Sequence, residues 1–566
     1  MQQRPEELEV PKVLIIGGVA GGASAAARLR RLDEKAQIIV LERGPYVSYA
    51  NCGLPYFVGD VIKDRDELLL QTPESLRERY NIDARTGHEA IMIDPACKQV
   101  SIRMLSSGEV YTETYDKLII ATGSSPIRPP IKGIDSPRIT TLWTVPDADQ
   151  IRDMITMHGA KSAIVIGGGF IGLEAAENLR AAGLEVSLVE MLDQVLAPFD
   201  YEMAQILHQH IRDAGVRLSL DDGVDSFHDT GDAVTVTLKS GVELAAQLIV
   251  LAIGVRPNSE LAKAAGLNVN GRGGIVVDDH MLTSDPDIYA AGDVVQVKDR
   301  VFGDAAMVPL AGPANKQGRI AADNIAGGSD AYAGSLGTFV VKVFDMTAAS
   351  VGVNEKTLIR RGLLPGRDYG RVIITQNHHA GYYPGATRMT IKLLFAQDGS
   401  RIFGAQIVGQ EGVDKRIDTL AVAIRLNAAV RDLSQLELAY APPYSSAKDP
   451  VNMVGYVAEN MLDGLTHMAA WDVVEKHPAS RILDVREAYE IADFALPRYK
   501  HIPLDELRGR LGELDPAKET IVFCAVGIRA HNAARILSNN GFRDVQVYPG
   551  GAVFYEQTHQ GVKVSL

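Results

Sequence analysis

Short apolar runs, each closed by a glycine turn and followed by a helix-length stretch, set the pattern of this chain. Val13-Leu14-Ile15-Ile16 leads into Gly17-Gly18-Val19-Ala20-Gly21-Gly22, then the Ala-rich stretch Ala23 to Leu32, then Ile38-Ile39-Val40-Leu41-Glu42. A short run without polar alternation predicts a strand buried on both faces of a parallel sheet, and the order strand, glycine turn, helix, strand predicts a βαβ unit. The same order returns at Ala163-Ile164-Val165-Ile166, Gly167-Gly168-Gly169-Phe170-Ile171-Gly172, a helix from Leu173 to Ala182, and Val186-Ser187-Leu188-Val189-Glu190. Leu248 to Pro257 reads as one strand carrying the chain out of the second unit. From about Gly337 to Asp463, apolar strands such as Met389 to Phe395 alternate with a helix at Val413 to Leu426. Past a linker at 463–470 come two further strands, Arg481 to Glu487 and Thr520 to Phe523, the second running into Cys524 and a helix from Ala530 to Asn539. The fold class is α/β: two Rossmann-like units, an α+β domain, and a C-terminal α/β domain.

The glycines carry chemistry as well as turns. Gly17 permits the tight turn, Gly22 lets helix and strand pack closely, and the free N–H groups at the helix start can hold a pyrophosphate. Val19 stands where the usual pattern has its middle glycine. Glu42, ending the second strand, is placed for ribose hydroxyls. In the second unit Gly167, Gly169 and Gly172 are all present, and Glu190 ends its second strand. A carboxylate there pairs with a free 2′-hydroxyl and repels a 2′-phosphate, which favours NADH, with NADPH the alternative. Two dinucleotide units imply two dinucleotides, most economically FAD in the first and a nicotinamide in the second, with hydride passing between them.

Length and charge narrow the class. At 566 residues the chain exceeds one core and predicts three to four domains. A formal net charge of -14 argues against a nucleic-acid binder, whose footprint would be a basic face, and leaves room for local basic pockets. No apolar run reaches the roughly 20 residues needed to cross a bilayer, and Met1 to Glu7 has no apolar leader, so a cytoplasmic protein without membrane association is expected. Three cysteines far apart form neither a disulfide framework nor a metal-spaced cluster, and no metal is expected.

Leu118-Ile119-Ile120-Ala121-Thr122-Gly123 and Tyr289-Ala290-Ala291-Gly292-Asp293 are apolar strands ending in small residues, and they resemble motifs of the two-dinucleotide flavoprotein disulfide reductases. The resemblance implies that Thr122, Gly123, Gly292 and Asp293 belong to the FAD site, Asp293 on the ribityl or phosphate part. It also implies a discontinuous FAD domain, 1–150 and 256–330, with a nicotinamide domain, 151–255, inserted. Many such reductases keep a cysteine pair beside the flavin. Here Cys52 is alone, and five residues onward stands Phe57, so the sulfur that oxidises Cys52 comes from a substrate, or Cys52 cycles through a sulfenic acid.

The segment Ser48-Tyr49-Ala50-Asn51-Cys52-Gly53-Leu54-Pro55-Tyr56 resembles the single-cysteine motif of coenzyme A disulfide reductases and their relatives, the NADH oxidases and peroxidases. That resemblance spans about 10–460. It implies a mixed disulfide between Cys52 and coenzyme A, substrate contacts from Ser48, Asn51, Arg28, Arg31 and Lys448, and a dimerisation domain at 335–462. In the implied homodimer, Tyr382 or Tyr383, and Tyr440, enter the partner subunit's site and donate to a leaving thiolate. Without it, the tyrosines read as packing and the arginines as a solvated helix face.

The C-terminal unit, 471–566, resembles a rhodanese domain in Asp484-Val485-Arg486, His501-Ile502-Pro503-Leu504 and the loop Cys524-Ala525-Val526-Gly527-Ile528-Arg529. It departs where rhodaneses carry Gly-His-Ile, reading Asp493 to Lys500 instead. Loop N–H groups, the helix dipole and Arg529 would stabilise a thiolate or persulfide on Cys524. Cys97, after a turn, has no assigned role. A sulfur carrier fused to such a reductase predicts NADH-dependent reduction of persulfides or polysulfides, coenzyme A persulfide foremost, through Cys52. The alternatives are coenzyme A disulfide reduction, an NADH oxidase working through a Cys52 sulfenate, and a sulfur carrier or sensor serving a partner protein.

Overall fold

A computed structural model describes residues 11–559. Met1 to Glu7, on which the expected lack of a leader rests, and residues 560–566 of the expected rhodanese unit lie outside the described residues. The chain forms two compact units, the first ending at Gly337 and omitting 190–221, the second made of Glu190–Asp221 and 338 onward.

In the first unit, strand Lys12–Ile16 lies at the centre of a five-stranded parallel sheet. Gln37–Glu42 and then Asp83–Thr86 flank it on one side, Lys117–Ile120 and then Ile288–Ala290 on the other. Leu14, Ile15, Ile39 and Ile119 are fully buried, which is why these runs lack polar alternation. The second βαβ pattern gives four parallel strands in the order Glu185–Val189, Ser162–Ile166, Leu248–Leu251 and Ile139–Thr141. The helices after the glycine turns start earlier than expected, at Ala20 and Phe170.

One expectation differs. Leu248 to Pro257 is two strands, Leu248–Leu251 and Val255–Pro257, the latter paired antiparallel with Ser124–Pro126. Gly254, at φ +113°, turns the chain between them.

In the second unit, a five-stranded antiparallel sheet runs in the order Phe339–Val343, Met346–Gly352, Ile402–Gly409, Arg388–Ala396 and Tyr369–Asn377. A four-stranded parallel sheet follows, Lys500–His501, Arg481–Asp484, Thr520–Phe523 and Val545–Val547. Helix Tyr201–Asp213 joins this unit through a buried ionic knot, in which Lys392 Nζ lies 2.9 Å from Asp200, 2.5 Å from Glu202 and 2.6 Å from Glu355. Three carboxylates hold the Lys392 ammonium against its burial and raise its pKa.

The C-terminal sheet is fastened to the antiparallel one. Gly550 N donates to Ile373 O at 3.2 Å, the Tyr201 ring meets Trp471 at 6.0 Å, and the Tyr548 hydroxyl donates to Trp471 O at 2.6 Å.

Candidate active site

Cys52 sits in a single helical turn, Asn51–Gly53, that runs straight into helix Leu54–Val58. The turn is fixed from before it: Ser48 adopts φ +50°, its N–H donates to Gly18 O, and its carbonyl accepts from Leu70 and Gln71. A non-glycine residue held in the left-handed region is a strained one, maintained here by three backbone hydrogen bonds.

Cys52 is exposed on a cavity of about 520 Å³. Arg28, Arg31, Ser48 and Asn51 line the same cavity, so residues spread over 25 positions of sequence meet in one place. Val19, the departure from the glycine pattern, is also on its wall. Ser24, Asn315 and Arg319 also line it, and Ser24 donates to the Asn315 side chain. Sequence reading missed Asn315 and Arg319. They are four apart on helix Ala311–Ile325 and so share a face, but no motif marks them.

Although Cys52 opens onto the cavity, the protein around it removes part of its water, and this partial burial raises the thiol above its ordinary pKa, with the negative charges of Glu174 and Asp293 raising it further. Glu174, also missed, lies on helix Phe170–Ala181; burial lifts its carboxyl to about 7, with Glu177 adding to the effect and a hydrogen bond from Tyr56 opposing it.

The glycine turns fit two dinucleotides. Neither helix Ala20–Leu32 nor helix Phe170–Ala181 has a side-chain cap or an acid in its first turn, so both starts present backbone N–H groups to an anion. Gly17 and Gly167 take φ of +103° and +106°, and a Cβ on either would strike a backbone carbonyl, of Ala121 at 2.1 Å and of Ala252 at 2.3 Å. Gly22 and Gly172 are equally closed, whereas a Cβ on Gly169 would project into open space.

Around the expected FAD site, Glu42 accepts from Gly18 N at 2.9 Å and Gly44 N at 2.7 Å. Thr122 and Asn258 exchange two hydrogen bonds, and Gly123, at φ +61°, accepts from Asn258 N. Gly292 N donates to Gln317 at 2.8 Å. Asp293, largely enclosed, accepts from the Ser124 hydroxyl at 2.8 Å, and burial raises its carboxyl pKa. Glu190 directly follows its strand and accepts from Leu192 N at 2.8 Å.

In the second unit the Tyr382 and Tyr440 hydroxyls are 2.8 Å apart and both residues are exposed. Tyr383 is half-exposed and packs edge-on against His379, and Lys448 is exposed beside the buried Asp449.

Cys524 is buried, with its sulfur accepting from Gly527 N at 3.0 Å. Gly527, at φ +114°, ends the loop at the uncapped start of helix Ile528–Asn539. Arg529 is not a free charge: Glu490 grips its guanidinium through two contacts of 2.6 Å.

Residues 11–318, more than half of the sequence, match the pyridine nucleotide-disulphide oxidoreductase family. The chain belongs to that family. Residues 338–450 match the dimerisation domain of pyridine nucleotide-disulphide oxidoreductases and 468–557 the rhodanese-like domain. Coenzyme A disulfide reductase of Staphylococcus haemolyticus is 36% identical over 451 residues, 80% of this chain and 100% of that protein. Among solved structures, reduced CoADR-RHD of Bacillus anthracis is 47% identical with a TM-score of 0.94, covering 97% of this chain and 98% of that one. An NAD-dependent persulfide reductase from A. fulgidus is 41% identical with a TM-score of 0.91, covering 96% and 100%. This oxidoreductase is therefore a flavoprotein that binds FAD and NAD(P)H and carries dimerisation and rhodanese domains. Among the described residues no helix is long and apolar enough to cross a membrane.

Proposed function

We propose that this oxidoreductase is an NADH-dependent persulfide reductase whose substrate is coenzyme A persulfide or a related persulfide or polysulfide. The observation that carries the reading is the cavity in which a lone cysteine meets Arg28, Arg31 and Arg319, cations suited to phosphates, beside Ser48 and Asn51.

Gly17, Gly22, Glu42, Thr122, Gly123, Gly292 and Asp293 would hold FAD, and Gly167, Gly169, Gly172 and Glu190 the nicotinamide. Bound FAD supplies two-electron chemistry between nicotinamide and sulfur. The Cys52 thiolate attacks the carbon-bonded sulfur of the persulfide; a sulfur–sulfur bond forms to Cys52 while the outer sulfur leaves as hydrosulfide. Two electrons and a proton then reopen the mixed disulfide, giving coenzyme A thiol and free Cys52. In the balance, persulfide, NADH and one proton yield thiol, hydrogen sulfide and NAD⁺. Exposed Tyr382 and Tyr440, with Tyr383 beside them, would donate to the leaving thiolate from the partner subunit of a homodimer, and Lys448 would contact substrate.

Cys524 would take up sulfane sulfur from larger donors: its thiolate attacks the terminal sulfur of a polysulfide, a Cys524 persulfide forms as that sulfur–sulfur bond breaks, and the shortened polysulfide leaves. The domain reading is 1–150 and 256–330 for FAD, 151–255 for the nicotinamide, 335–462 for dimerisation and 471–566 for the rhodanese unit.

The test is sulfide release from coenzyme A persulfide with NADH. Cys52→Ser abolishes it, and an unchanged rate would sink the scheme. The staphylococcal relatives support a second reading, reduction of coenzyme A disulfide. Parallel rates on disulfide and persulfide decide between the two.

A further inference from the structure

Two guanidiniums on different helices, both lining the Cys52 cavity, converge on one buried carboxylate. Asp323, 8% exposed on helix Ala311–Ile325, accepts from Arg28 Nε at 2.7 Å, and Arg28 Nη2 is 2.5 Å from the same oxygen, Oδ1. The other oxygen, Oδ2, is buried and accepts no hydrogen bond, and Arg319 Nε stands 3.6 Å from it. Helices Ala20–Leu32 and Ala311–Ile325 meet backbone to backbone near this point, where a Cβ on Gly318 would lie 2.2 Å from Gly21 O. Arg28 and Arg319 both line the cavity, with Arg31 one helical turn beyond Arg28.

A buried carboxylate with an idle oxygen is a poor device for stability, since burial is offset only when its acceptors are used. It suits orientation better. Arg28 anchors two of its nitrogens, Nε and Nη2, on Asp323 and has Nη1 for the cavity it lines, while Arg319, 58% exposed at its side chain, is held only from one side and keeps its remaining N–H groups for another anion.

We propose that Asp323 is a positioning residue that aims Arg319 and Arg28 at the cavity and so sets a preference for thiols bearing a polyphosphate over uncharged ones. This rests on the reading that the cavity takes a coenzyme A-type substrate. Three arginines against one aspartate leave two net positive charges there, a match for a phosphate-rich tail and of no use to a neutral thiol.

The experiment is calorimetric titration of the FAD-loaded enzyme with coenzyme A and with pantetheine, which lacks the phosphates. Wild type binds coenzyme A more tightly. Asp323→Asn weakens coenzyme A about tenfold and leaves pantetheine unchanged, Asp323→Glu restores part of the loss, and combining Asp323→Asn with Arg319→Gln costs less than the sum of the two. Should Asp323→Asn fail to fold, Asp323→Glu, which keeps the charge and moves the carboxylate, reads the same contrast against wild type. Equal weakening of both ligands, additivity of the pair, or unchanged or tighter coenzyme A binding overturns the proposal. Binding needs no turnover, so a persulfide that is bound but not reduced defeats the proposed reaction alone. A wild type that prefers coenzyme A while Asp323→Asn keeps the same preference defeats the role of Asp323 alone, whereas a wild type indifferent to the phosphates defeats the coenzyme A reading as well.

Discussion

Glu490 holds Arg529 by two hydrogen bonds of 2.6 Å, at the helix start that closes the loop carrying Cys524. The guanidinium is kept charged chiefly by this partner and in smaller part by Cys524 itself. Its field at the sulfur is therefore shared. Arg529→Met is expected to slow sulfur uptake from polysulfide about tenfold, the size of one lost charge-assisted interaction. NADH-driven reduction of a small persulfide at Cys52 stays at the wild-type rate. Equal losses in both assays would show that Arg529 acts on the fold rather than on Cys524.

Cys52 should be a slow nucleophile in the enzyme before reduction. Its thiol is raised by burial and by Glu174 and Asp293, so the pH midpoint of alkylation by iodoacetamide lies above that of free cysteine. Glu174→Gln removes one negative charge and lowers that midpoint. Mass spectrometry of the Cys52 peptide across pH measures it.

Glu174 also affects stability. Its folded-state pKa of about 7 exceeds the ordinary 4.5, so the folded state holds the proton more tightly. Stability contributed by this group is full below about pH 4.5 and is lost as pH rises toward 7. Glu174→Gln is expected to flatten the fall in melting temperature between pH 5 and pH 7, by scanning calorimetry, relative to wild type.

Two glycines of one turn should part company. A Cβ on Gly172 would lie 1.8 Å from Gly167 O, so Gly172→Ala lowers the melting temperature or prevents folding. Gly169, at φ -78° with nothing within 4 Å of its added Cβ, tolerates alanine as a fold element. On the proposed assignment the methyl group there would meet the nicotinamide dinucleotide, so Gly169→Ala is expected to raise KM for NADH while the melting temperature holds.

Lys392→Met leaves Asp200, Glu202 and Glu355 around a fully buried apolar side chain. Removing one partner of a buried ionic group costs about 3–5 kcal/mol, and the loss should appear as a lower unfolding midpoint. Arg371, 2.7 Å from Glu355, moderates it.

The fold was largely legible because its signals are local. Val13 to Ile16 and Ala163 to Ile166 are buried strands for the reason their composition suggests, and the loop from Cys524 to Arg529 closes on a helix start as its glycine implies. What escaped was whatever depends on distant residues meeting. The break at Gly254 is invisible in an apolar run. Asn315 and Arg319 reach the Cys52 cavity only because Gly21 and Gly318 let two helices touch. Glu174 looks like an ordinary helix residue until burial makes its carboxyl a weak acid. Arg529 read as an unopposed charge because Glu490 lies 39 positions away.

The seam that joins the two sheets of the second unit has a consequence for how the chain can be cut. Trp471 is wedged between Tyr201 and His559, and Gly550 is bonded to Ile373. A truncation at residue 465 would strip that seam bare, leaving Tyr201 and an open main-chain carbonyl facing water on the retained half. The rhodanese unit is thus no detachable bead: a shortened protein should be stickier and less soluble than its parent even where every oxidoreductase residue is intact.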